Sequence, residues 1–393
     1  MIKKDITFIY KDAAEKAMFE PIAEEANKRG YKTTFSENEF SRCEVGFYCQ
    51  HVNFPQYSKF SVIMLHDIIQ QYGNWPDIWF FEPWDKYDIG ILPSTQWEEN
   101  WNKCSQWKYT RPRLGIYKVG WPKADSVCKL TKSTSRSEFN KKHGLDDSKK
   151  TILYAPAWEN DNKQDDFVQA MKKLNVNVIL KQGPWNSEKW LRERPDIYDN
   201  VLKMNELHKD IPGVVILDGE TNIFEAIAVS DVLVSEESST LCEAVMMGIP
   251  AVSVSDWPIP DTVPSRMPKC DYDFVLMTKR CELSDCINDV IENYSRYHEE
   301  FEAFSSRTFS NIGKASGIIM DIIDDCVAGN DIRYTEVKPK ECEKVPLGKE
   351  ISRRKEQFIR ATHANYKIQY PVFRFFWDLA KKCKNVLVGD YFK

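Results

Sequence analysis

The chain has 393 residues, of which 42% are hydrophobic and 29% charged, a balance that fits a folded globular protein and excludes a disordered one. That length exceeds one ordinary core, so two domains of roughly 150–200 residues each are expected. The net charge of −5 offers no overall attraction to nucleic acid, and no stretch is long and apolar enough for a transmembrane helix.

The first residues, Met1 to Lys16, are basic and then turn acidic without the apolar h-region of a leader, so no cleaved leader is expected. Strand-like runs follow at Ile6–Tyr10, Tyr31–Phe35, Val45–Tyr48, Phe60–Leu65, Ile89–Leu92 and Leu114–Val119. A helix over Ala13–Arg29, closed by Gly30, separates the first two, and a Trp-rich helix runs through Trp97 and Trp101. Strands alternating with helices imply parallel pairing with crossovers. Lys129 to Lys150 is polar, and a domain boundary is expected near its end. A second α/β series has strands at Thr151–Tyr154, Asn177–Leu180, Val214–Leu217, Val232–Val234 and Ala251–Val254. Its helices are expected at Asp166–Leu174, Pro195–Lys209, Ile223–Val229, Leu241–Met247, Leu283–Arg307 and Ile312–Cys326. The 11 Cys are scattered, with no CxxC pair, which reads as reduced thiols in a cytoplasmic protein. Residues 350–393 hold a net +6 and a dense aromatic set, including Tyr370, Phe373, Phe375, Phe376 and Trp377. Such a tail suits an anionic membrane surface, and equally a terminal helix packed back on the body.

In open α/β sheets, ligands bind beyond the C-terminal strand ends. The groups expected there are His51, His66, Asp67, Trp158, Lys181, the Ser235–Thr240 turn and Asp256. Imidazole titrates near neutrality, so His66 is the candidate general base. Lys181 is placed to neutralise phosphate charge. Ser238, Ser239 and Thr240, opening a helix, are candidate phosphate donors, and Glu243 a candidate acceptor from a ribose or acceptor hydroxyl. A helix cap without a ligand explains the same serines equally well. GxGxxG, GxxxxGK[ST], GxSxG and HExxH are all absent, and no metal site is expected.

Four segments resemble, in order, those of the CDP-glycerol glycerophosphotransferases of teichoic acid and capsule synthesis. They are Gly120-Trp121-Pro122-Lys123-Ala124-Asp125, Thr151 to Glu159, Val178 to Pro184, and Ser230 to Val254. The resemblance implies an α/β GT-B fold: two doubly wound Rossmann-like domains facing a cleft, over 1–145 and 146–328, and a helical, basic and aromatic tail over 329–393. It implies an enzyme that moves glycerol phosphate from a CDP-activated donor to an acceptor hydroxyl in cell-surface polymer synthesis. His66 would be catalytic, and Lys181, Ser238, Ser239, Thr240 and Glu243 would hold the donor. No cofactor beyond the activated donor is implied. The acceptor would be a glycan or polyol phosphate, free or lipid-linked, met in the cytoplasm or peripherally on the inner face of the membrane. The family's Lys-x-His-Pro histidine falls on Gly183, and its His-Gly pair on His66-Asp67. Those departures keep open a GT-B glycosyltransferase or epimerase using a nucleotide sugar, and a scaffold without activity.

Overall fold

The computed structural model describes residues 2–11, 13–49, 53–65, 84–127, 135–236, 238–259 and 275–355. The first sheet holds β1 (Asp5–Ile9), β2 (Lys32–Ser36), β3 (Cys43–Tyr48), β4 (Ser58–Ile63), β5 (Ile89–Leu92) and β6 (Ile116–Lys118). The second holds β7 (Thr151–Tyr154), β8 (Asn177–Lys181), β9 (Val214–Leu217), β10 (Val232–Ser235), β11 (Ala251–Val254) and β12 (Leu276–Thr278). Their spatial orders are β2-β1-β3-β4-β5-β6 and β12-β11-β10-β7-β8-β9. All described pairings are parallel. β7, β8, β10 and β11 are buried at every residue, so they are covered on both faces, which is why they are predominantly apolar runs.

The helices are α1 (Ala13–Lys28), α2 (Thr95–Asn102), α3 (Arg136–His143), α4 (Lys163–Met171), α5 (Glu188–Glu193) and α6 (Pro195–His208). They continue as α7 (Ile223–Ala228), α8 (Thr240–Met246), α9 (Leu283–Glu292), α10 (Tyr294–Thr308) and α11 (Ala315–Ala328). None of the described helices is long and apolar enough to cross a membrane.

Three local differences from the sequence reading have physical causes. The helix expected over 283–307 is two, because the Asn293 amide bonds back to the Asp289 carbonyl and carboxylate and offers the backbone an exit. The polar stretch before β7 contains α3, started by the Ser135 side chain accepting from Glu138 N–H and stopped by Gly144 in the left-handed region. Arg136 in α3 binds Asp231 at 2.7 Å, so this helix joins the second sheet ahead of the expected 145/146 boundary. β12 has three residues, too few for a periodic signal.

The six-residue segment Gly120–Asp125 joins the two halves. Gly120 sits at φ +116, and a Cβ there would lie 2.5 Å from the Ser310 carbonyl oxygen. Trp121 packs edge-on against Phe224. Asp125 accepts from the N–H groups of Ala315 and Ser316 at 3.0 and 2.7 Å, capping α11. In turn α11 returns to α1, where Arg29 binds Asp321 and Asp324. Beyond α11 the chain crosses the first domain, with Val337 N–H on the Ile116 carbonyl and Glu343 N–H on that of Gln106. A helical stretch over 347–355 ends the described chain. Its Arg353 lies 3.3 Å from the Tyr109 ring centre. The tail thus packs back on the body as far as 355, while Tyr370, Trp377 and their neighbours lie outside the described residues.

Candidate functional site

Strand order reverses between β1 and β3 in the first sheet and between β7 and β10 in the second. Such reversals splay the following loops apart and leave a crevice at the C-terminal strand ends. In the second sheet the crevice is bounded by Ala155–Trp158 after β7 and by Glu236 and Ser238–Thr240 after β10.

Glu236 ties the two edges together. Its carboxylate accepts from Ala157 N–H at 3.0 Å, Trp158 N–H at 3.2 Å and Lys163 Nζ at 2.8 Å. Both members of the Lys163–Glu236 pair are fully buried. The acidic residue before the serines is therefore a structural brace, and its lone pairs are not turned to a ligand.

The hydroxyl turn divides by function. Thr240 Oγ1 donates to the Ala155 carbonyl at 2.9 Å, and Thr240 N–H donates to Ser238 Oγ at 3.2 Å. Both Thr240 donors are thus engaged within the protein. Among the described residues, no partner takes the Ser238 or Ser239 hydroxyl hydrogen or the Ser239 N–H. Ser239 stands at the N-cap position of α8 but makes no side-chain capping bond. With seven residues, α8 is short, so individual N–H and O–H donors matter more here than its dipole.

Glu243 is buried and bridges the halves through a 2.8 Å ion pair with Lys123. Lys123 also lies over the Trp121 and Phe224 rings, 5.1 and 5.5 Å from their centres. Only Glu243 Oε1 takes Lys123; Oε2 is buried with no hydrogen-bond partner. Lys181, at the end of β8, donates to the Gln182 and Gly219 carbonyls, each at 2.8 Å. Burial holds its ammonium below the usual lysine range, opposed by the charges of Asp218, Glu220 and Glu243. Two of its three N–H donors are therefore engaged with backbone. Lys181 and Glu243 thus lie in one electrostatic neighbourhood, while Asp256 is turned to Arg280, which also binds Asp161 and Asp166. His51, His66, Asp67 and Glu237 lie outside the described residues.

Several groups at the site carried no sequence signal. A Cβ on Gly183 would lie 2.5 Å from the Trp185 ring, so the indole fills the space a side chain at 183 would need. Trp185 stacks on Trp158 at 5.0 Å, and Trp190 meets both edge-on. A polar chain leads from the half-buried Asp165 to the buried Gln182. His208 Nε2 lies 3.0 Å from Asp165 Oδ1, Gln164 Nε2 lies 3.0 Å from His208 Nδ1, and Gln182 Nε2 donates to Gln164 Oε1. Glu159, which closes the segment begun at Thr151, accepts from Tyr154 OH at 2.5 Å and from Asn200 at 3.0 Å. Burial pushes its carboxyl up to about 7, against hydrogen bonds from Tyr154 and Gln164 N–H. Among the described residues, no group of three His, Cys, Asp or Glu could hold a metal ion.

Comparison with known proteins adds two findings. The family model for CDP-glycerol:poly(glycerophosphate) glycerophosphotransferases matches residues 79–323. No curated protein sequence matches the chain. Among solved structures, the wall teichoic acid polymerase TagF superposes with a TM-score of 0.57 at 16% identity, covering 83% of this chain and 89% of its own. The UDP-GlcNAc 2-epimerase from Neisseria meningitidis, bound to UDP-GlcNAc, gives 0.55 at 12% identity over 83% of this chain and 100% of that one. At such identities the likeness establishes the GT-B fold. The nucleotide-sugar alternative retains only that shared fold.

Proposed function

Because the chain belongs to the CDP-glycerol:poly(glycerophosphate) glycerophosphotransferase family, we propose a division of labour by which its cleft passes glycerol phosphate to a polymer hydroxyl. The chain is an enzyme, a transferase with a CDP-activated glycerol phosphate donor. The acceptor oxygen attacks the phosphorus that carries glycerol. A new O–P bond forms, the bond from that phosphorus to the bridging oxygen breaks, and CMP leaves with the bridging oxygen. The hydroxyl proton goes to a base, the role assigned to His66. Negative charge grows on the phosphate oxygens during transfer, and donors held in place beforehand stabilise it most. Ser238 and Ser239 supply these donors, Lys181 adds positive charge, and Glu243 Oε2 accepts from a ribose hydroxyl. The scheme uses an activated donor and no resident cofactor.

The observation that supports this assignment is that, among the described residues, no partner takes the Ser238 and Ser239 donors at the switch point, while Thr240 and Glu236 are occupied. Replacing both serines by alanine removes hydrogen bonds to a charged group, worth about 1.5–3 kcal/mol each. CMP affinity should then fall by roughly 100-fold or more. Calorimetric titration reads this directly, and an unchanged affinity removes the serines from the phosphate site.

The polymer is assigned to the teichoic acid or capsule class, in keeping with the likeness to TagF. Work on a lipid-linked acceptor would bring the protein to the inner face of the membrane. The outward side of 347–355 supports that placement, since Leu347 and Ile351 are 75% and 59% exposed at i, i+4 spacing.

A further inference from the structure

We propose that Glu159 is a positioning residue of the donor crevice, and that the protein binds its donor when Glu159 carries a proton. This rests on the reading of the cleft as the site of a CDP-activated donor.

Glu159, Lys163 and Glu236 are each 0% exposed. One cation therefore stands beside two acids in a place without solvent. Glu236 takes that cation. Its Oε1 accepts from Lys163 Nζ at 2.8 Å and from Trp158 N–H at 3.2 Å. Its Oε2 accepts from Ala157 N–H at 3.0 Å and from Ser235 Oγ at 2.9 Å. Four donors on one carboxylate favour its charged form. A second bond, to the Trp158 carbonyl at 3.0 Å, holds Lys163 in place. A charge on Glu159 would then need a cation of its own, because a buried charge without one is costly.

Among the described residues, none packed around Glu159 supplies that cation. From β7, Tyr154 OH lies 2.5 Å from its Oε2. From α4 comes Gln164 N–H, 3.3 Å from Oε1, and from α6 the Asn200 amide, 3.0 Å from the same atom. All three are neutral donors. Farther along α4, Asp165 is paired with His208 of α6, and Asp166 with Arg280 and the Trp257 indole. Arg194, over the Trp158 ring, is paired with Asp196. Burial lifts the Glu159 carboxyl to about 7, against the hydrogen bonds of Tyr154 and Gln164 and the charge of Lys163, and helped by the charge of Glu236.

The proton reaches the crevice through Lys163. Ala157 and Trp158 form one edge of the crevice, and Ser238 and Ser239 follow Glu236 on the other. Glu236 joins the two edges through the Ala157 and Trp158 N–H groups, and Lys163 completes the joint. A negative Glu159 repels Glu236 and draws Lys163 from it. The Trp158 edge then loses its fixed distance from the serines assigned to the phosphate. Donor affinity accordingly follows the fraction of molecules in which Glu159 is neutral.

Calorimetric titration of CDP-glycerol into the full chain, without acceptor, from pH 6 to pH 8 tests this. Both phosphates of CDP-glycerol are diesters, so the ligand brings no proton change of its own in that range. Affinity should fall about 10-fold from pH 6 to pH 8, as a group titrating near 7 loses its proton. Glu159→Gln stays neutral throughout and should hold the same affinity at both ends of the range. Tyr154→Phe keeps the carboxyl and removes a hydrogen bond that favours its charged form, so the fall should move to higher pH. That second variant decides the matter where the first fails to fold. A residue with a purely structural role would change stability and leave the pH profile of binding alone. A flat wild-type profile overturns the inference and leaves the donor reading standing. So does a fall that persists in Glu159→Gln, as titration of His208 would give, or one that Tyr154→Phe does not move. Failure of the wild-type protein to bind CDP-glycerol at any pH overturns the donor reading itself, and this inference with it.

Discussion

At the level of single residues, the site is a set of groups sorted by what their hydrogen bonds leave over. Glu159 gives a prediction in pH. Burial raises its carboxyl to about 7 in the folded chain, against an ordinary value near 4.3 once unfolded. Between those values the folded state holds a proton that the unfolded state has released. Its contribution is therefore fully present below about pH 4 and is lost as the pH rises through about 7. Glu159→Gln keeps the shape and cannot titrate, so it should remove a fall in stability of about 3 kcal/mol across that window. Urea denaturation from pH 4 to pH 8 compares the two proteins, and parallel curves would contradict the assignment. The sequence made Ser238, Ser239 and Lys181 visible because they follow strands. It could not show that Thr240 is bound to Ala155, because that contact joins residues 85 apart. Nor could it show Gln164, Gln182 and His208, whose meaning lies in the order of their hydrogen bonds.

At the level of elements, what was legible followed from burial. Parallel strands covered on both faces are predominantly apolar runs, and this made most of the described strands visible; the half-exposed edge strand β2 was also expected, although it is no such run. The short β12 was not. A Ser-x-x-Glu start and a closing Gly mark α3, yet its polar composition hid it, since only Asn140 among its residues is buried. The split between α9 and α10 depends on one asparagine side chain, which periodicity does not register. The segment Gly120–Asp125, noticed for its composition, acts as a joint. Asp125 meets two otherwise open N–H groups of α11. Asp125→Ala should cost about 1–2 kcal/mol, and Asp125→Asn less. Urea midpoints measure both, and an alanine variant as stable as the wild type would show that water caps α11 equally well.

At the scale of the whole molecule, two doubly wound halves are held in register by contacts that also touch the site. Lys123 reaches from the joint to Glu243, and α11 returns from the second half to Arg29 on α1. Movement of one half against the other therefore alters the surroundings of the carboxylate assigned to the ribose. The tail gives a separate prediction. Replacing Leu347 and Ile351 by Glu should abolish sedimentation with vesicles rich in anionic lipid and leave CMP affinity intact. Vesicle binding that survives the change would move the membrane contact elsewhere.

The central claim is transfer of glycerol phosphate from a cytidine-activated donor by the cleft. Incubation of the purified protein with CDP-glycerol and a poly(glycerophosphate) acceptor tests it most directly, with CMP release and polymer lengthening followed together. The account predicts one CMP per glycerol phosphate added, and a rate reduced roughly 100-fold or more in His66→Ala. Turnover of a UDP-sugar with no CMP released from CDP-glycerol would contradict it.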